Sequence, residues 1–120
     1  TWGTLDEAGG ANYTPGTGTY TIPVTGYYSI SLHLSWGSPA PSSGASEVKC
    51  QIKRNGSIIA QGYSHQTTAG EWPDDPVANI ELTLTAGDTI TFAASQNTTG
   101  SMDLQGGSVW GKFGIHLIHR

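Results

Sequence analysis

Charge is scarce in this 120-residue chain. Only 12% of its residues are Asp, Glu, Lys or Arg, against about 25% in an average soluble domain. The formal net charge is −4. Its cations, Lys49, Lys53, Arg54, Lys112 and Arg120, are too few to follow a phosphate backbone, which argues against a nucleic-acid partner. No apolar run approaches the roughly 20 residues that span a bilayer as a helix, so membrane insertion is not expected. A single cysteine excludes an intrachain disulfide. Cys50 alternates with Val48 and Ile52, which reads as a small buried hydrophobe rather than a reactive thiol. Neither a secretory leader nor an initial Met is visible, and the chain reads as a mature piece or an excised domain. A Gly-x-Ser-x-Gly elbow, a His-Glu-x-x-His helix, paired Cys ligands and a phosphate loop are all missing, so no enzyme is predicted.

What the chain has is Gly, 17 of them, abundant Ser and Thr, and alternation of period two. Tyr28, Ile30, Leu32, Leu34 and Trp36 alternate with Ser29, Ser31, His33 and Ser35, giving a strand with one apolar face. Val48, Cys50 and Ile52 mark the next strand. Asn55-Gly56 is a two-residue hairpin signal, because both residues tolerate positive φ. Ile58 to Tyr63 returns from it. Ala78, Ile80, Leu82 and Leu84 form a further inward face, Ala86-Gly87-Asp88 a turn, and Ile90, Phe92 and Ala94 the strand after it. Val109 to Ile118 is the last strand. Tyr20, Ile22 and Val24 suggest a short early strand, with Pro23 arguing for a sheet edge. Polar or Pro-rich loops fill residues 37–46, 66–76 and 97–107. The reading is one all-β domain over residues 1–120, with residues 1–18 an arm or a first strand. Short antiparallel strands imply a sandwich, immunoglobulin-like or jelly roll. The Cys, Trp, Cys pattern of antibody domains is absent, and periodicity alone does not select between the two.

One resemblance does. Tyr20-Thr-Ile-Pro23-Val-Thr-Gly26-Tyr-Tyr28-Ser-Ile30-Ser-Leu32-His33 resembles the early inner strand of the complement C1q and tumour necrosis factor superfamily, a Pro followed by Gly-x-Tyr-x-Phe. Gly26 and Tyr28 match, while Ile30 and Leu32 replace aromatics. Lys53-Arg54-Asn55-Gly56 resembles that family's hairpin. Leu82-Thr-Leu84-Thr-Ala-Gly87-Asp88-Thr-Ile90 resembles its Leu-x-Leu-x-x-Gly-Asp-x-Val segment. Ser108-Val-Trp110-Gly111-Lys-Phe113-Gly114-Ile-His-Leu117 resembles its final strand. The resemblance runs from Tyr20 to Arg120 and rests on these motifs occurring in order. It implies a ten-stranded antiparallel jelly-roll sandwich, assembled as a homotrimer, that binds ligands and catalyses nothing. It also implies that the last strand lies beside the Gly-x-Tyr strand, which lies beside the Leu-x-Leu strand. The low cysteine and the polar Gly, Ser and Thr content lean towards a phage or bacterial source.

The alternation then assigns Tyr28, Ile30, Leu32, Leu34, Ile80, Leu82, Phe113, Ile115 and Leu117 to the core. The opposite face holds Tyr27, Ser29, Ser31, His33, Asn79, Glu81, Trp110, Lys112, His116 and Ile118, and this is the expected trimer interface. An isolated chain would expose Tyr27, Trp110 and Ile118, and exposed area of that kind marks interfaces. His33, Glu81, Lys112 and His116 are either a polar network around the threefold axis or solvated groups. In the loop near residue 70, Trp72 with Gln66, Asp74 and Asp75 offers a glycan site, unless Trp72 is a loop anchor. Glu71, Asp74 and Asp75 supply hard oxygen ligands for calcium, unless they are merely solvated; no other cofactor is implied. The expected function is a trimeric binding or attachment head at the tip of a fibrous surface or phage-fibre protein. It would act outside the cell, on a cell surface or on a virion, and recognise a cell-surface protein or glycan. The alternatives are a structural trimerisation or capping module that binds nothing, and a lectin-like sandwich.

Overall fold

The structure is a computed structural model that describes residues 12–14, 17–35, 47–65, 75–96 and 112–120. Its strands are β1 (Tyr13–Thr14), β2 (Thr19–Thr21), β3 (Gly26–His33), β4 (Glu47–Arg54), β5 (Ser57–His65), β6 (Val77–Leu84), β7 (Thr89–Gln96) and β8 (Lys112–His119). Among the described residues there are thus eight strands and no α-helix, where the sequence resemblance implied ten strands. They form two antiparallel sheets, one in the order β1-β2-β7-β4-β5 and the other β6-β3-β8. The chain passes from one sheet to the other after β2, β3, β5, β6 and β7. The result is a β-sandwich-like, all-β fold.

The apolar positions of the alternating strands meet between the sheets. Ile30, Leu32 and Leu34 from one sheet are buried against Cys50, Ile52 and Ile90 from the other. Fully burying an Ile or Leu side chain stabilises by about 1.5–3 kcal/mol. Phe92 of β7 stacks on Phe113 of β8 with ring centroids 4.4 Å apart, and Tyr13 packs on Phe113 at 5.5 Å. One aromatic on the smaller sheet is therefore held by two on the larger.

The Asn55-Gly56 turn forms as the residue types dictate, with φ of 49° and 86°. Directly beyond it the register slips: Lys53 pairs with Ile58, but Ile52 pairs with Ala60, so Ile59 is an extra residue in β5. Pro23 does not mark an edge strand. β2 has β1 on one side and β7 on the other, and Pro23 follows its last residue, where no ladder donor is lost.

Two glycines are fixed by close approach. A Cβ built on Gly62 of β5 would lie 1.9 Å from the Val77 carbonyl oxygen of β6, so the two sheets touch backbone to backbone along that side. A Cβ on Gly26 would lie 2.7 Å from the His119 carbonyl oxygen, at the far end of β8.

Candidate functional site

The outward residues of β3, β6 and β8 make one continuous face, arranged in rows by the register. Ser29 lies between Glu81 and His116, Ser31 between Asn79 and Gly114, and His33 between Val77 and Lys112. Tyr27 lies between Thr83 and His119. Eight of the residues expected at the interface are thereby on adjacent strands: Tyr27, Ser29, Ser31, His33, Asn79, Glu81, Lys112 and His116.

The end of β8 departs from simple alternation. Tyr28 pairs with Leu117 but Tyr27 pairs with His119, which leaves Ile118 as a bulge residue. Ile118 is 48% exposed, and Leu117, expected in the core, is 42% exposed because it sits where the sandwich opens. The bulge brings the His119 ring over Tyr27, stacked at 5.5 Å and 21°. His119 was not singled out by the sequence, since strict period two puts it on the core face.

Polar groups on this face are joined in a different way from the network the sequence suggested. His33 Nε2 lies 3.4 Å from Asp75 Oδ2. Asp75 enters just before β6, and the β3–β6 register carries it to His33. His116 leans over Gly114: a Cβ there would be 3.3 Å from His116 Nε2 and 3.2 Å from Ser31 Oγ. The missing side chain of Gly114 is what lets the imidazole lie down on the sheet. Val77, 49% exposed, adds an apolar group beside His33 that the alternation reading left unassigned.

Of the residues considered for glycan or calcium, Asp75 is described and makes the His33 contact. Gln66, Glu71, Trp72 and Asp74 lie outside the described residues, as does Trp110 of the expected interface. Among the described residues no group of three or more His, Cys, Asp and Glu side chains could hold a metal ion.

Opposite in character is the end of the sandwich where the β4–β5 and β6–β7 turns meet. Arg54 Nη2 contacts Asp88 Oδ2 at 2.7 Å, and the Asn55 side-chain amide donates to Asp88 Oδ1 at 2.9 Å. The Thr85 N–H donates to Asp88 Oδ2 at 2.9 Å. The Asn55 amide foremost, then the Thr85 N–H, holds the Asp88 carboxyl below its ordinary pKa. Each group is satisfied by its neighbours, so this is a structural clasp rather than a reactive centre.

No family model matches the chain, and neither does any curated protein.

Proposed function

We propose that the chain is a jelly-roll head of the C1q and tumour necrosis factor kind. Three copies pack through the outward face of the β6-β3-β8 sheet, and the assembly attaches to a cell-surface or extracellular ligand without doing chemistry. It works outside the cell or on a virion. One observation carries this reading: the neighbour order β8-β3-β6. It brings the Gly26-x-Tyr28 strand between the last strand and the Leu82-x-Leu84 strand, which is the arrangement the resemblance implies.

The make-up of the face supports the same reading. Small Ser29, Ser31 and Gly114 run down its middle, flanked by Tyr27 and by Ile118 and Val77, both about half exposed. Small residues let two such sheets approach closely, and the apolar rim gains from leaving water. Glu81 shares a row with Ser29 and His116. A carboxylate taken into an interface needs a partner, and an imidazole from the same or a neighbouring copy meets that need.

Light scattering with sedimentation tests the proposal. The expected mass is about three times the 12.6 kDa of one chain. A mass of one chain throughout the micromolar range overturns it.

A further inference from the structure

The two broad faces of the sandwich differ in charge. The β6-β3-β8 face bears Glu81 and the His33–Asp75 pair. On the larger sheet, β4 turns Val48, Cys50 and Ile52 into the core, so Lys49, Gln51 and Lys53 point outward. Lys49, Lys53 and the adjoining Arg54 are three of only five cations in a chain of net charge −4. Arg54 is held by Asp88 at the sandwich end. Lys49 and Lys53 remain on the face, about 13 Å apart at the rise of an extended strand. Glu47, 3.0 Å from Lys49, is the one carboxylate on the outward face of β4.

The register sets what lies around these two lysines. On one side β7 contributes only short groups, with Ser95 beside Lys49, Ala93 beside Gln51 and Thr91 beside Lys53. On the other side β5 sets Tyr63 beside Lys49, Gln61 beside Gln51 and Ile58 beside Lys53. Gln51 Nε2 donates to Gln61 Oε1 at 3.2 Å, tying the two strands between the lysines. Tyr63 is 59% exposed, a ring available to a stacked ligand. The result is a shelf of short side chains, a cation at each end, amides at its centre and an aromatic ring at one margin.

We propose that this shelf binds an acidic glycan, a sulfated or uronic polymer lying along β4. Its anionic groups meet Lys49 and Lys53, its hydroxyls meet the Gln51–Gln61 amides, and one sugar ring stacks on Tyr63. The opposite sign of chain and patch matters here: a net-negative molecule presents an anionic polymer with one attractive face. The site is on the sheet opposite the proposed trimer face, so it does not need that assembly, although in a trimer it would occur three times.

The test is binding of the intact chain to a heparin-derived octasaccharide, with its desulfated, N-acetylated counterpart and a single-stranded oligonucleotide of equal charge as comparisons. Lys49→Ala with Lys53→Ala is expected to weaken octasaccharide binding by about tenfold or more, with unchanged melting temperature, and binding is expected to fall steeply with salt. Tyr63→Ala is expected to weaken it while leaving the salt dependence as it was. No binding overturns the proposal, as does binding indifferent to the two lysines or equal affinity for the oligonucleotide. Light scattering on the same samples keeps this result separate from the trimer.

Discussion

The side chain of Asn55, at the tip of the β4–β5 hairpin, reaches Asp88 in the β6–β7 turn across 33 residues of sequence, with Nδ2 and Oδ1 2.9 Å apart. Its Oδ1 accepts from the Thr89 N–H at 2.9 Å, and its own N–H donates to the Thr89 carbonyl at 2.9 Å. One residue thus forms a turn through its backbone and fastens a second turn through its side chain. Asn55-Gly-Ser57 also reads as a glycosylation acceptor, but an amide committed to Asp88 is a poor acceptor in the folded chain.

Removing that fastening is expected to weaken the fold. Asp88→Asn loses the charge facing Arg54 and one acceptor, and a loss of about 1–3 kcal/mol is expected in urea unfolding. The pH dependence follows from the depressed Asp88 pKa. Its contribution is complete above the unfolded carboxylate value of about 3.9, and is lost as pH falls through that value towards the folded one. The wild-type minus Asp88→Asn difference in stability should therefore be level from pH 7 to about pH 5 and shrink below about pH 4. A difference that stays level down to pH 2 would show that the clasp does not hold Asp88 ionised.

Two glycines separate crowding from backbone strain. Gly62→Ala must push β5 away from the Val77 backbone, and an expected loss of about 2–4 kcal/mol follows. Gly56→Ala meets nothing within 4 Å and suffers only from its φ of 86°, a cost of about 1 kcal/mol. Equal melting temperatures for the two variants would contradict the close approach of the sheets.

The assembly is tested most directly at Ser31, exposed in the middle of the β6-β3-β8 face between Asn79 and Gly114. Ser31→Arg is expected to reduce the mass from three chains to one. Its secondary structure should remain, since the side chain points away from the core.

Cys50 has no exposed surface, and burial pushes its thiol pKa up. A thiol reagent such as Ellman's is expected to leave the folded chain unmodified at pH 8 and to react fully in denaturant. Rapid labelling of the native chain would mean that the core opens around β4.

Much of the sandwich was legible in the residues. Tyr28 to Leu34 alternate without interruption, and that strand became the centre of its sheet, where both neighbours enforce the inward face. Asn55-Gly56 needed no tertiary context, because the turn is decided by two residues. The misses share a cause. Gly62 is required by a carbonyl on a strand of the other sheet, and the Asp75–His33 pair depends on how the chain enters β6. Neither follows from local period. Leu117 and His119 departed from their expected faces because a single bulge shifts the parity of everything after it. The interface reading fared well for residues inside strands, whose direction alternation fixes. It offered nothing on partners contributed from turns and strand ends.

The clasp between Asn55 and Asp88 also bears on the order of events in folding. The β4–β5 hairpin closes through its own two-residue turn, and the β6–β7 pair through the Thr85–Asp88 turn, in which the Asp88 N–H donates to the Thr85 carbonyl at 2.9 Å. Both turns can form before they meet, whereas the clasp exists only after the two ends have docked. Protonating Asp88 should therefore hasten the escape of the native chain more than it slows its formation. Acid would shorten the lifetime of the folded head while leaving its route of assembly almost unchanged.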